Sequence, residues 1–369
     1  LVGLRLTIVD ELHISTSNWG DTLADDVIFE LRTDATTGRK VLIAEGRALR
    51  PNDFVDAAPL PALDHSANCP FCRGNEFHTP HELAVVNDAM GNWQVRVVPN
   101  KYPALASIAN AQGLQSLGVF GERAAASGIH EVVIESPRHV RDWSDLATDD
   151  LAAVLRMFRD RIEHAYTMHQ MQSALVFKNV GQAAGASLEH IHTQLVAFPY
   201  VPEVLEREVQ IAAEHHHRTG SCLMCQLLGE EQQTGTRLVC ENDSFAAFTA
   251  FAGRQPYETW VVPKQHACCF TQLGNEESHS LAIILRDLVE LLSHAADLRP
   301  PVAYNVVLHT APVGDERSVA FHWHWELIPR TTSLAGFEWG TGMYINSISP
   351  ERAAIRMRMS KSGGILPIQ

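Results

Sequence analysis

No stretch of this chain approaches the ~18–20 consecutive apolar residues that a membrane-spanning helix needs, although 46% of its 369 residues are apolar. Positive charge is scarce: 29 Lys and Arg stand against 43 Asp and Glu, a formal net charge of −14. That balance excludes a general nucleic-acid-binding surface, which requires a basic face. It leaves room for a small anionic substrate, because local cations such as Arg47, Arg50 and Lys101 can act within an acidic shell. The start reads as a poor signal peptide, since Arg5 interrupts the short apolar stretch and Asp10 and Glu11 follow. The expected setting is therefore cytoplasmic, with neither membrane nor nucleic acid as partner. The glycine-rich run GQAAGAS at 181–187 lacks the G-K-[ST] ending of a P-loop.

What the chain does have is a repeat. Each half carries, in order, a Cys-x-x-Cys pair, an apolar strand ending in a histidine, an amphipathic helix, a second apolar strand and a His-x-His strand. In the first half these are Cys69/Cys72, HEVVIESPRH (130–139), a helix entered at Thr148, ALVFKNVG (174–181) and HIHTQLV (190–196). The helix has Asp149 and Asp150 in its first turn and Leu151, Val154, Leu155, Phe158 and Ile162 on one face, with Thr148 as its cap. In the second half they are Cys222/Cys225, ETWVVPKQH (258–266), a helix at 277–296 with Leu281, Ile284, Leu285, Leu288 and Leu292 on one side, AYNVVLHTAP (303–312) and FHWHWELIPR (321–330). Between His139 and His190 lie 51 residue steps, and between His266 and His322 there are 56. We read an internally duplicated α+β protein with mostly antiparallel sheets and packed helices. Its divisions are an N-terminal extension (1–25), a catalytic domain (26–205), a second domain (206–350) and a C-terminal tail (351–369). Residues 104–128 read as a loop and CLMC (222–225) as a knuckle like CPFC (69–72).

In a reducing compartment, paired cysteines serve as metal ligands or redox pairs rather than structural disulfides. A knuckle supplies two thiolates, and a tetrahedral zinc ion takes two further ligands from distant histidines. The repeat offers Cys69, Cys72, His139 and His190 for one structural Zn2+ and Cys222, Cys225, His266 and His322 for another, with His324 an alternative to His322. The triplet His215-His216-His217 reads as a solvated helix face, and Cys240, Cys268 and Cys269 as buried thiols. Alternation along a strand places His190, His192 and Gln194 on one face. With His190 given to the metal, His192 is free to attack a nucleotide α-phosphorus and form a phosphoramidate. Gln194 can donate its amide to a phosphoryl oxygen, and Ser187 and the backbone of the glycine-rich run can add donors. The second half reads His322-Trp323-His324-Trp325-Glu326. A carboxylate replaces the glutamine and no glycine-rich loop precedes it, so this half is read as having lost the reaction.

HIHTQ matches the His-φ-His-φ-(His/Gln) signature of the histidine triad superfamily. With CPFCRGNE, VVPNKYPAL, ESPRH and NVGQAAGAS in the same order, residues 26–350 resemble the galactose-1-phosphate uridylyltransferase family, in which two triad-like domains are fused. The resemblance implies His192 as the nucleotidyl-carrying nucleophile assisted by Gln194. It implies phosphate contacts at Arg50, Asn100, Asn179, Gly185 and Ser187, and a hexose-phosphate contact from EWGTGMYIN (338–346) through Tyr344 and Asn346 across a homodimer interface. The substrates implied are a nucleotide sugar and a hexose 1-phosphate. Many uridylyltransferases have proline where Ile191 and Thr193 stand. That difference, the second Cys-x-x-Cys pair and GTGMYIN are nearer to the ADP-glucose phosphorylase branch, which would use an adenine nucleotide and inorganic phosphate. Two rivals follow: a hydrolase that passes the nucleotide to water, and a non-catalytic, zinc-stabilised nucleotide-binding protein.

Overall fold

The structure is a computed structural model that describes residues 28–49, 65–106, 115–295, 298, 300–314 and 316–361. The N-terminal extension (1–25) and Arg50 lie outside the described residues. In chain order the strands and helices are β1 (Phe29–Thr33), β2 (Lys40–Ala44), β3 (Ala84–Asn87), β4 (Trp93–Pro99), β5 (Gln115–Ser116), β6 (Glu122–Arg123), β7 (Ile129–Ile134), α1 (Thr148–Met168), β8 (Ser173–Val180) and β9 (His192–Phe198). The second half follows with α2 (Glu203–Thr219), α3 (Leu223–Thr234), β10 (Leu238–Glu241), β11 (Phe245–Thr249), β12 (Thr259–Pro263), α4 (Asn275–Ser293), β13 (Tyr304–His309), β14 (His324–Pro329), α5 (Gly336–Thr341), β15 (Tyr344–Asn346) and α6 (Pro350–Lys361).

Ten strands form one sheet in the order β10-β11-β12-β14-β13-β8-β9-β7-β4-β3, with every neighbouring pair antiparallel. The order is its own mirror about the β13–β8 junction: five strands of the first half are matched by five of the second, and the two copies join into one sheet. β1 and β2 pair with the C-terminal β15 in a separate three-stranded sheet. α6, at the start of the stretch read as a tail, buries Ala353, Ala354 and Met357.

One face of the large sheet is covered by α1 and α4. Both helices follow the periodicity expected of them, burying Leu151, Val154, Leu155, Phe158 and Ile162, and Leu281, Ile284, Leu285, Leu288 and Leu292. They close one continuous core against Val133, Leu195, Val176, Val306, Leu308 and Trp325. Each fully buried aliphatic side chain of this kind contributes roughly 1.5–3 kcal/mol. The opposite face carries the chemistry. Residues directly opposite in paired strands share a face, and the register pairs Ile134 with His192, Val132 with Gln194, Gln194 with Phe177, and Asn179 with Asn305. Alternation then puts His130, His192, Gln194, Asn179 and Asn305 on one side of the sheet.

Four local expectations change. Thr148 is the first helical residue and Ala147 holds the cap position; the Thr148 hydroxyl instead accepts a hydrogen bond from Arg286 of α4 at 2.8 Å. CLMC is not a knuckle, because Cys222 is the N-cap of α3 and Cys225 lies in its first turn. β9 begins at His192, so His190 sits in the approach to the strand. The loop at 104–128 contains the small β5–β6 hairpin.

Candidate active site and metal centres

The CPFC knuckle is built by its own backbone and by Asn75. Cys72 N–H donates to the Cys69 carbonyl at 3.3 Å. The Asn75 amide donates to the carbonyls of Ser66, Ala67 and Cys69 at 3.2, 3.2 and 2.8 Å. Both thiols thereby face His190 and His139: Nδ1 of His190 lies 3.5 Å from Cys69 Sγ and 3.6 Å from Cys72 Sγ, and Nδ1 of His139 lies 3.3 Å from Cys72 Sγ. Ligands at about 2.3 Å (S) and 2.0–2.1 Å (N) around a tetrahedral zinc are separated by about 3.6 Å, so this spacing fits such an ion. The tautomer fits as well. The Ser136 carbonyl takes the Nε2 proton of His190 at 2.8 Å, which leaves the Nδ1 lone pair facing the thiols. Burial holds the His190 imidazole neutral, pushing its pKa down to about 4, and also lowers His139. Burial raises the Cys69 thiol to about 11, an obstacle that a bound cation removes.

Cys222, Cys225, His266 and His322 form a second group that could hold a metal ion, with N···S separations of 3.4–3.7 Å. This answers the question left open between His322 and His324. His324 belongs instead to a third group, with Glu208 and His309.

Beside the first metal group stands His192. Its Nδ1 lies 2.8 Å from the His190 carbonyl. Because a carbonyl only accepts, Nδ1 carries the proton and Nε2 keeps its lone pair. Burial lowers the pKa of His192, aided by the Lys178 ammonium and opposed by the His190 hydrogen bond and Glu135. The ring of Phe71, from the knuckle, lies 5.3 Å from that of His192 and 5.9 Å from that of His190. Behind the strand, Lys178 reaches Glu135 at 2.8 Å and the His192 carbonyl at 3.1 Å.

Around His192 the side-chain amides are held by their oxygens. Gln194 Oε1 is within 2.9 Å of His130 Nε2 and 3.2 Å of Asn100 Nδ2. Asn179 Oδ1 accepts from Asn305 Nδ2 at 2.8 Å, and the same Asn305 amide donates to the Ala184 carbonyl at 2.9 Å. The glycine-rich run folds back on itself: N–H groups of Ala184 and Ala186 bond the Gly181 carbonyl, and that of Gly185 bonds Gln182. Gly181 and Gly185 have φ of +80° and +86°, a region other residues rarely enter. A Cβ at Gly181 would also lie 2.9 Å from that of Ala303. Three of the loop's expected free donors are thus spent internally, and Ser187 is exposed next to them.

A family model described as the N-terminal domain of galactose-1-phosphate uridyl transferase matches residues 21–202, and one described as a domain of unknown function, DUF4921, matches 124–362. ADP-glucose phosphorylase from Arabidopsis thaliana is 33% identical over 331 residues, covering 89% of this chain and 92% of that protein. The chain belongs to the galactose-1-phosphate uridylyltransferase family of nucleotidyltransferases. Galactose-1-phosphate uridylyltransferase from Thermotoga maritima is 26% identical over 90% of this chain and 98% of its own length. A crystal structure of the Arabidopsis phosphorylase, solved with ADP-glucose bound, superposes with a TM-score of 0.75 at 31% identity, covering 90% of this chain and 98% of that one.

Not every residue that the family resemblance suggested gathers at His192. Asn346 is buried and spends its amide N–H groups on the carbonyls of Gly253 and Gln255 at 2.9 and 3.1 Å, while its oxygen accepts from Ile348 N–H at 3.0 Å. Tyr344 is half-buried, 5.9 Å from the Arg39 guanidinium. Neither bonds to the His192 cluster within the described residues. In the half without the glutamine the corresponding side chains are buried and paired with one another. His324 is buried and its ring stacks on His309 at 4.8 Å; Glu326 is ion-paired with Arg254 and lies 3.4 Å from His309 Nε2. His130, Asn305, Lys178 and Glu135 escaped the sequence reading. For His130 the signal was its even spacing from Val132 and Ile134 on an apolar strand, which needs the β7–β9 register to become a contact. No helix among the described residues is long and apolar enough to cross a membrane.

Proposed function

We propose that this chain transfers a nucleoside monophosphate from a nucleotide sugar to a phosphate acceptor through a covalent nucleotidyl intermediate on His192. The observation that carries the proposal is the His190 carbonyl 2.8 Å from His192 Nδ1, which leaves Nε2 as the nucleophile on the same strand face as Gln194. The Nε2 lone pair attacks the α-phosphorus, an N–P bond forms, and the P–O bond to hexose 1-phosphate breaks with its electrons leaving on that oxygen. An acceptor phosphate oxygen then attacks the same phosphorus and the N–P bond breaks, restoring neutral His192. Gln194 and Asn179 donate amide N–H groups to the phosphoryl oxygens as charge builds on them, with Asn100, Gly185, Ser187 and Arg50 contributing further phosphate contacts.

Cys69, Cys72, His139 and His190 would hold one Zn2+, and with it the His190 backbone and the Phe71 knuckle, and Cys222, Cys225, His266 and His322 would hold another at the α3 cap. With four protein ligands offered by each group, both ions would serve a structural role. ADP-glucose and orthophosphate are favoured as donor and acceptor by the higher identity to the Arabidopsis phosphorylase, 33% against 26% for the Thermotoga uridylyltransferase. The enzyme is a cytoplasmic homodimer in this reading.

The test crosses ADP-glucose and UDP-glucose with galactose 1-phosphate, glucose 1-phosphate, orthophosphate and water as acceptors. Mass spectrometry of the enzyme with donor alone should show a nucleotidyl adduct that His192→Ala lacks. An adduct that persists in His192→Ala, or none with any donor, defeats the proposal. Free nucleoside monophosphate as the main product in every mixture would make the protein a hydrolase.

A further inference from the structure

We infer that His130 is a positioning residue that fixes which end of the Gln194 amide faces the reacting phosphate. This rests on the transfer chemistry proposed above. The assignment follows from a chain of hydrogen bonds that has one consistent solution. The backbone N–H of Ala104 donates to His130 Nδ1 at 3.0 Å, so Nδ1 bears no proton in the neutral ring and Nε2 bears it. Nε2 lies 2.9 Å from the side-chain oxygen of Gln194, and an N–H at that distance donates to it.

Asn100 closes the arrangement from the other side. Its own oxygen accepts from Tyr102 N–H at 2.8 Å, which turns its amide nitrogen toward Gln194 Oε1 at 3.2 Å. A flipped Gln194 would press its NH2 group against two donor nitrogens, Nε2 of His130 and Nδ2 of Asn100, themselves 3.0 Å apart. The oxygen is therefore pinned by two donors that backbone groups hold in place. The Gln194 nitrogen is left as the free end, with no hydrogen-bond partner among the described residues, and the side chain is half-exposed on the His192 face.

An unpinned glutamine would present its oxygen to the phosphate for part of the time. Two negatively polarised oxygens would then face each other, and the donor would be missing when charge develops. Pinning removes that state and spares the transition state the reorganisation. The second half makes the contrast: the residue paired with Glu326 on β12 is Trp260, and Glu258, two residues earlier and so in the place of His130, is a carboxylate bound to Arg254.

The experiment measures the rate of nucleotidyl-His192 formation from ADP-glucose in single turnover. It compares the wild-type chain with His130→Phe, His130→Gln, Gln194→Ala and the double variant Gln194→Ala/His130→Phe, with thermal melts to confirm folding. The expected result is an about tenfold slower adduct formation in His130→Phe, as for the loss of one hydrogen bond in the transition state, with half-saturation by ADP-glucose changed less than about twofold. His130→Gln, whose amide can donate from the Nε2 position, should regain most of the rate. The double variant should be no slower than Gln194→Ala alone. Should His130→Phe fail to fold, His130→Asn takes its place, because asparagine mimics Nδ1 and does not reach Gln194. A wild-type rate in the donor-less variant, a loss confined to half-saturation, no recovery in His130→Gln, or multiplying losses in the double variant each overturn the inference. A wild-type chain that forms no adduct with ADP-glucose or UDP-glucose overturns the functional reading itself, which the other results leave standing.

Discussion

Lys178 is the most demanding residue in the first half, and removing its charge should destabilise the whole sheet. Its side chain is 1% exposed and that of its partner Glu135 0%, with Nζ 2.8 Å from Glu135 Oε2. Burial draws the Lys178 pKa down and Glu135 pulls it back up. The ammonium also donates to the His192 carbonyl at 3.1 Å, while Glu135 accepts from the Trp143 indole at 2.9 Å and from the Thr193 hydroxyl. Lys178→Met matches the stem in volume and removes the charge, leaving a buried carboxylate with two neutral donors and no cation. Breaking one side of such a pair costs about 3–5 kcal/mol. With about 2.1 cal/mol/K of unfolding entropy per residue over 369 residues, that cost corresponds to a Tm lower by about 4–6 °C in a single cooperative transition. Guanidinium unfolding followed by tryptophan fluorescence gives the free energy directly. Adding Glu135→Gln should restore about 1–3 kcal/mol, because a neutral amide no longer needs the missing cation. A single-variant loss below about 1 kcal/mol, the range of exposed pairs, would refute the reasoning, and so would a double variant weaker than the single one.

Cys72→Ser should lower bound zinc by about one equivalent per chain in elemental analysis and slow adduct formation by about 10–100-fold, because His190 would no longer hold its carbonyl at His192 Nδ1; unchanged zinc content would dismiss the first metal group. Asn305→Ala leaves the Asn179 oxygen and the Ala184 carbonyl without their donor and should slow transfer about 3–10-fold; an unchanged single-turnover rate would show that the second half lends the site nothing through this residue. Burial would lower the pKa of His309, but Glu208 and Glu326 override it and raise it to about 10. Its stabilisation is therefore complete below its unfolded value of about 6.5 and is lost as pH rises through about 10. In that window the folded chain binds one proton more than the unfolded chain, so stability should fall by about 1.4 kcal/mol per pH unit. Denaturation midpoints from pH 7 upward should decline less steeply in Glu208→Gln, and parallel curves would reject the assignment.

The repeat was legible because both copies keep the same order of strands, helices, cysteine pairs and His-x-His segments, and periodicity alone placed α1, α4 and the six strands β7, β8, β9, β12, β13 and β14 close to where they fold. The difference between the cysteine pairs was legible in principle. CPFC contains Pro70 and is followed by Gly74 and Asn75, which stop a helix, whereas CLMCQLLGEEQQ is a run of helix formers. Alternation put His190 on the strand; its partners in the fold are two thiols 121 and 118 residues away, which no local pattern reveals. His130 and Asn305 were out of reach for a related reason. Their neighbours come from other strands, and only the register that places His130 opposite Val196, and Asn305 opposite Asn179, tells which polar residue meets which.

The shared sheet also sets the corresponding residues of the two copies side by side. The β8–β9 register extends to place Asn179 opposite His192, as β13–β14 places His309 opposite His324. The same correspondence sets Gln194 against Glu326 and His130 against Glu258. The first half thus presents Gln194 and His130 where its counterpart presents the carboxylates of Glu326 and Glu258. Neutral amides pinned by their oxygens keep N–H donors free and carry no charge of their own, so an incoming phosphate meets attraction without a competing internal pair. In the other half, Arg254 binds both Glu258 and Glu326, and Glu208 and Glu326 flank His309. Those ions pair with one another, three carboxylates against two cations; a phosphate entering there would have to displace a carboxylate from an arginine in a site of low dielectric. Placing Gln at 326 alone would leave Arg254 paired with Glu258 and His309 paired with Glu208, and would not recreate the first site. The asymmetry lies in the whole charge set, and Asn305, standing on the second half and bonded to Asn179, marks where that half reaches the cluster of the first.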